Sequence, residues 1–183
     1  GCDWSSDVCS SDLAKKLSMG DKVFGPKGIL RDTLYNNSIK DKRYYDITVE
    51  QLLRHQAGFT NYAGDPISST RYIMMQNRLT TPTDHPTLLK ILLKRHLGYT
   101  PGEGKCYSNF GYILLSMIIE KKSGMRYEDY MQKYVLNPAG CYDMHIAGTY
   151  YKDRRPNETK YYMHQGSIPV YEYNNSGRMV EKC

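Results

Sequence analysis

The chain has 183 residues, a net charge of +6 from 25 Lys and Arg against 19 Asp and Glu, 40% hydrophobic residues and a mean hydropathy of −0.64. These values exclude a membrane-spanning chain and wholesale disorder, and a chain of this length can bury a sizeable core. The longest apolar run, Ile113 to Ile119 with Ser116 inside it, is far too short to cross a bilayer. Tyrosine dominates the aromatics, with 18 Tyr against 3 Phe and 1 Trp.

In chain order, residues 1–13 carry three Asp, no Lys or Arg, and a repeat of Ser5-Ser6-Asp7 as Ser10-Ser11-Asp12. They lack the basic start and apolar stretch of a signal peptide. They resemble a translated sequencing-adapter read joined near Ala14, the alternative being a disordered polar tail. Residues 14–46 read as loop, with Lys22 to Gly28 expected to wander over the surface because of its Gly and Pro punctuation. Thr48-Val49-Glu50-Gln51 fits a capping box, so a short helix is expected from Val49 to His55, ended by Gly58. Residues 59–82 are polar and irregular, with room for one helix near 68–77. Thr83 can cap a helix over about 84–96, whose Leu88, Leu89, Leu92 and Leu93 share one face.

The clearest helix spans about 110–123. Ile113, Leu114, Leu115, Met117, Ile118 and Ile119 leave it only a thin polar stripe, so it is expected to be largely buried, and Gly124 stops it. Another helix, about 127–135, ends before Asn137-Pro138. Residues 159–163 and 168–173 read as strands with Gly166 in the turn, and Tyr171 to Gly177 as a strand entering a turn. The chain is expected to be cut at both ends, so that 14–183 form part of one domain.

Charge and cysteine usage narrow the function. Lys40-Asp41-Lys42-Arg43 and Lys152-Asp153-Arg154-Arg155 are interrupted by acids and read as solvated surface rather than a nucleic-acid patch. Five Cys form no C-x-x-C pair and no zinc pattern with five His, and read as free thiols. Cys141 and His145 are too few to hold a metal. His55, alone in a loop after a helix, reads as structural.

One constellation carries chemistry. Pro101 to Asn109 runs straight into the 110–123 helix and sets Tyr107 and Asn109 at its entrance. A phenol there can shuttle a proton if a neighbouring cation lowers its pKa from about 10. An amide at Asn109 can both donate to and accept from a substrate amide. A packed Tyr and an Asn helix cap are the structural alternative.

The segment Ile47-Thr48-Val49-Glu50-Gln51-Leu52-Leu53-Arg54-His55-Gln56-Ala57-Gly58 resembles the I-T-[VI]-x-x-L-L-x-H-x-S-G segment of the β-lactamase-related serine hydrolases. That group takes in class C β-lactamases, D,D-peptidases and esterase relatives. Pro101-Gly102 through Tyr107-Ser108-Asn109-Phe110-Gly111-Tyr112 is similar to the P-G-x-x-x-x-Y-S-N-x-G-Y block of the same family. Ile118 to Gly124, Tyr127 to Tyr130 and Pro138 to Gly140 continue the register. The resemblance covers about residues 15–150. Ala57 stands where Ser is usual, and Cys106 and Cys141 where other residues are.

This resemblance implies an α/β, β-lactamase/transpeptidase-like fold, an antiparallel sheet flanked by helices, of which this chain covers mostly the helical lobe. It implies acyl transfer to an amide or ester through an acyl-enzyme, with Tyr107 as the catalytic base and acid, and Asn109 as the substrate-binding residue. Ser108 would not be the nucleophile. No metal or organic cofactor is implied. The partner is a small-molecule or peptide substrate rather than a nucleic acid. Export to the periplasm or cell envelope follows by family, with membrane attachment left open.

The catalytic Ser of that family belongs to an S-x-x-K motif. No Ser in these 183 residues has Lys three places on, so no nucleophile is assigned. Ser11 precedes Lys15 by four, and Ser68 precedes Arg71, whose guanidinium cannot act as a base. His164-Gln165-Gly166 has the form of the third family motif but follows Tyr107 by only about 55 residues, and reads as coincidence. Two rival functions stay open: a non-catalytic ligand-binding relative that kept the cleft, and a basic, Tyr-rich nucleic-acid binder.

Overall fold

The computed structural model describes residues 16–60, 64–79, 84–147, 154–158, 171–173 and 179–181. They fall into two compact units, residues 1–69 with 85–144, and residues 70–84 with 145–183.

The first unit is built on α5, Asn109–Ser123. Ser108 starts it and Gly124, at φ 70°, stops it with a backbone bond to Glu120 O. That left-handed φ suits a residue without a side chain. The helix buries Phe110, Gly111, Leu114, Met117 and Ile118, while Ile113, Leu115 and Ile119 are half-buried and Tyr112 is exposed. It is therefore buried on one face rather than nearly all round, the covered face being the one on which α2, Val49–Leu53, and α6, Tyr127–Met131, pack. Burial of each large apolar side chain on that face is worth about 2 kcal/mol.

The expected capping box is present: Thr48 Oγ1 accepts from Gln51 N at 3.3 Å, and Gln51 Oε1 accepts from Thr48 N at 3.0 Å. α4, His85–Leu92, buries Leu88, Leu89 and Leu92 as the spacing predicts, but gives way to a turn at Leu93 and stops short of 96. Thr83, its predicted cap, lies outside the described residues. The helix expected over 127–135 is α6 followed by one π turn, Gln132–Leu136, which widens the backbone before Asn137-Pro138.

Residues 14–46 depart most from the loop reading. They hold α1, Thr33–Asn36, capped by Asp32, and a 3-10 helix, Lys42–Asp46, capped by Asp41. Lys22 to Gly28 does not wander over the surface. Val23 and Phe24 are fully buried, and Val23 N donates to Ile47 O at 3.0 Å. The Gly and Pro residues there let the chain turn tightly while two apolar side chains enter the core. Phe24 meets Tyr44 edge-on at 5.8 Å, and burial pushes the Tyr44 phenol well above its ordinary pKa.

The Lys40 to Arg43 run is likewise not a simple solvated surface. Asp41 is only 8% exposed. Its carboxylate accepts from Arg43 Nε at 3.1 Å, Arg43 Nη2 at 2.7 Å, Arg43 N at 3.1 Å and Leu97 N at 3.0 Å. Arg43 Nη2 also donates to Leu97 O at 3.0 Å. This fork joins the 3-10 helix to the segment after α4, so alternating charge in the sequence conceals a buried clasp.

The second unit contains α3, Thr70–Gln76, which follows a 3-10 helix, Pro66–Ser69, and buries Ile73 and Met74. It also holds an antiparallel pair, β1 Tyr171–Tyr173 and β2 Met179–Glu181, with Glu172 opposite Val180. The predicted 168–173 strand is present at its C-terminal end, paired with a segment given no element from sequence. Residues 159–163 and the predicted turn at Gly166 lie outside the described residues, as do 1–13. Among the described residues, no helix is long and apolar enough to cross a membrane.

The bond to the Arg43 guanidinium holds the Asp41 carboxyl far below the usual carboxylate range. A folded-state pKa below the unfolded value of about 3.9 gives stability that is present above that pH and lost as pH falls through the folded value. Asp41→Asn is expected to lower stability by about 2 kcal/mol at pH 7, the scale of a hydrogen bond to a charged group. Its deficit against the unaltered chain should narrow below about pH 4. Urea unfolding at pH 7 and pH 3 checks both; an equal deficit at the two values would refute the assignment.

Candidate functional site

The entrance of α5 is held by a side chain from far upstream. Ser108 is the N-cap residue and is buried; its Oγ accepts from Gly111 N at 3.4 Å and donates to Asp65 Oδ1 at 2.8 Å. Asp65 Oδ2 accepts from Asn109 N at 2.7 Å, and the residue is 8% exposed. A carboxylate at a helix N-terminus satisfies donors that lack intrahelical partners and faces the positive end of the helix dipole. Ser108 is thus occupied as a cap.

The turn after α2 packs against the segment leading to Tyr107. Cys106 N donates to His55 O at 3.0 Å, Gly102 N to Gln56 O at 2.9 Å, and Gly98 N to Gly58 O at 2.8 Å. Gly58 has φ 92°, and a Cβ there would stand 2.3 Å from Tyr99 O, so the approach requires glycine. Ala57, the departure from the family pattern, is buried at 3% exposure. Tyr99 Oη donates to His55 O at 3.1 Å, and desolvation raises its phenol pKa. Thr60 Oγ1 donates to Tyr107 O at 2.8 Å, fixing the backbone one residue before the cap.

The structure brings Tyr107 and Asn109 together. Tyr107 Oη donates to Asn109 Oδ1 at 2.8 Å, and both side chains are exposed, Tyr107 by 65%. The structural alternative does not hold: this tyrosine is not packed in a core, and Ser108, not Asn109, is the cap. His55, read as structural from sequence, touches the site. Its ring centroid lies 4.7 Å from that of Tyr107 and 5.1 Å from that of Tyr112.

The sequence reading missed Asp65, placed in a polar irregular stretch. The local signal, an acid before Pro66 at a helix start, points to a nearby cap and says nothing of partners 43 and 44 residues downstream. The arrangement offers a phenol and an amide side by side at a water-accessible helix entrance. A separate groove of about 440 Å3, lined in part by Leu30, Tyr35, His85 and Met117, shares no residue with this pair. Cys106 and Cys141 are free thiols. Among the described residues, no three His, Cys, Asp or Glu side chains converge to hold a metal. His164 to Gly166 lies outside the described residues.

The family model described as Beta-lactamase matches residues 13–179. The chain belongs to the β-lactamase family. Among curated proteins, this β-lactamase-family chain is 31% identical over 105 residues to penicillin-binding protein 4* of Bacillus subtilis, covering 56% of this chain and 22% of that protein. It is 33% identical over 95 residues to the human serine beta-lactamase-like protein LACTB, mitochondrial, covering 50% of this chain and 15% of that protein. The matches therefore span less than a quarter of these relatives' length.

Among solved structures, a D-stereospecific amidohydrolase from Streptomyces sp. superposes with a TM-score of 0.57 at 22% identity, over 93% of this chain and 46% of that one. The octameric penicillin-binding protein homologue from Pyrococcus abyssi gives 0.51 at 23% identity, over 92% and 34%. The fold is β-lactamase/transpeptidase-like, and the described part of it is mostly helical with few strands, as expected of the helical lobe.

Asp65→Ala leaves the Ser108 hydroxyl and Asn109 N–H without their buried acceptor and is expected to lower stability by about 1–3 kcal/mol. Ser108→Ala removes the cap and leaves Asp65 Oδ1 without its donor, and should lower it by a similar amount. Thermal melts of the two variants side by side measure this; an Asp65→Ala variant as stable as the parent would remove Asp65 from the cap.

Proposed function

We propose that this segment belongs to a serine hydrolase that cleaves an amide or ester through an acyl-enzyme, with Tyr107 as proton shuttle and Asn109 as substrate holder. One observation carries the reading: Tyr107 Oη and Asn109 Oδ1 lie 2.8 Å apart and exposed at the entrance of a helix fixed by Asp65 and Ser108. In the mechanism that follows, a Ser hydroxyl attacks the carbonyl carbon. The Tyr107 oxygen, its own proton passed to a neighbouring Lys amine, takes the hydroxyl proton and returns it to the leaving amine or alkoxide; water then attacks the acyl ester, releasing the acid and restoring the Ser hydroxyl. The Asn109 amide receives the substrate's own amide, exchanging the Tyr107 bond for a substrate bond. The Ser and the Lys beside it are supplied by an S-x-x-K motif outside these 183 residues. The substrate is a small molecule or peptide, and the whole protein works outside the cytoplasm, as the family resemblance implies.

The missing S-x-x-K motif favours a second reading, a ligand-binding relative that retains the cleft without the nucleophile. Both readings expect no nucleophile within these residues, and turnover by a full-length protein separates them. The 183-residue chain treated with a fluorophosphonate or β-lactam probe is expected to stay unlabelled, since removing the nucleophile from a catalytic unit lowers the rate by several orders of magnitude. Mass spectrometry finding a stoichiometric adduct on any Ser would overturn that expectation.

In a full-length protein that contains this segment, Tyr107→Phe keeps the ring and removes the hydroxyl. Acylation of a chromogenic ester is expected to fall about 10²–10⁴-fold, the usual worth of general acid–base catalysis. Stability should change by less than about 1 kcal/mol, because the lost bond is exposed. Undiminished turnover by Tyr107→Phe would end the proposed role.

A further inference from the structure

The sequence assigns His55 no function, and its surroundings do not suit a residue that merely ends a helix. Its backbone is left-handed, at φ 58°, a conformation uncommon for a residue with a side chain. Nδ1 accepts from Ser108 N at 3.3 Å, so the ring grips the backbone between Tyr107 and Asn109. The imidazole also contacts the Tyr107 ring at 4.7 Å with a tilt of 40°, and the Tyr112 ring at 5.1 Å and 28°. Its carbonyl accepts from Cys106 N and Tyr99 Oη. One residue thus meets the Tyr107 segment through backbone, ring edge and ring face.

We propose that His55 is the positioning residue for Tyr107. Its ring sets the direction of the phenol, and its Nδ1 sets the backbone from which the phenol departs. Accepting through Nδ1 requires the neutral imidazole with its proton on Nε2, so His55 acts here as an acceptor and an aromatic surface, not as a proton donor to substrate. The left-handed backbone is what aims the ring at Tyr107 instead of letting it trail along α2. Thr60 and Asn109 hold the Tyr107 carbonyl and hydroxyl, whereas among the described residues the His55 ring meets its aromatic ring. This inference rests on the proposed role of Tyr107 for its catalytic meaning, but the positioning itself is measurable without catalysis.

The test places 3-fluorotyrosine at position 107 of the 183-residue chain and follows it by fluorine NMR. In the unaltered chain the resonance should be displaced from that of free fluorotyrosine by the His55 ring. His55→Asn tolerates a left-handed backbone and keeps a side-chain acceptor while deleting the ring. It should return the resonance most of the way to the free value, with unchanged circular dichroism and melting temperature. His55→Gly, which keeps only the backbone freedom, should do the same and serves if the first variant is poorly folded. An unmoved resonance in either folded variant would overturn the proposal.

In a full-length protein, His55→Asn is expected to lower kcat for ester acylation about 10- to 100-fold with KM within twofold, the scale of a small misplacement of a catalytic group. A Tyr107→Phe enzyme that is active defeats the proposed function. A Tyr107→Phe enzyme that is inactive, beside a fully active His55→Asn enzyme, defeats the positioning role alone.

Discussion

The two oxygens of the buried Asp65 carboxylate bind Ser108 Oγ and Asn109 N, and this pair of bonds sets where α5 begins. A helix that starts one residue earlier or later would rotate its first side chains by about 100°, since 3.6 residues make a turn. Tyr107 and Asn109 flank the cap, so their mutual distance follows from the register that Asp65 enforces. The helix capped there buries Phe110, Leu114 and Ile118, which share one face by their spacing. Polar bonding at the end of the helix and apolar packing along it therefore specify one arrangement together.

How much of this was legible follows from the distance over which each contact acts. The capping box at Thr48 and Gln51, the Gly124 stop and the leucine face of α4 are local patterns, and the structure contains all three. That Tyr107 and Asn109 stand together at the entrance of α5 was legible because the block around them is contiguous. Asp41, Asp65 and Val23 were misread for the opposite reason. Asp65 answers to partners more than 40 residues away, Asp41 to Leu97 as well as to nearby Arg43, and Val23 bonds to Ile47 from within a Gly- and Pro-punctuated stretch. In each case a local rule about polar or turn-forming residues was overridden by a nonlocal bond. His55 sits between these cases, since its family segment was recognised while the rings it touches came into view only in three dimensions.

Membership in the β-lactamase family and the order of its blocks sharpen what the described residues contribute. Among the described residues, the Tyr107 side of the entrance draws on residues 55–60, Asp65 and 99–112, within one compact unit. Shared fold leaves room for differing chemistry among relatives, and the bonds around Tyr107 are made within this unit.

The Asp41–Arg43 clasp has a consequence for the route by which the chain folds. Leu97 is 56 residues from Asp41, and between them run α2, α3 and α4. Closing so long a loop removes chain entropy before the bond can form, whereas the backbone bonds along α5 and the capping box join near neighbours. The clasp thus belongs to the late part of the folding reaction. Weakening it should act mostly on how quickly the native state opens and much less on how quickly it is reached.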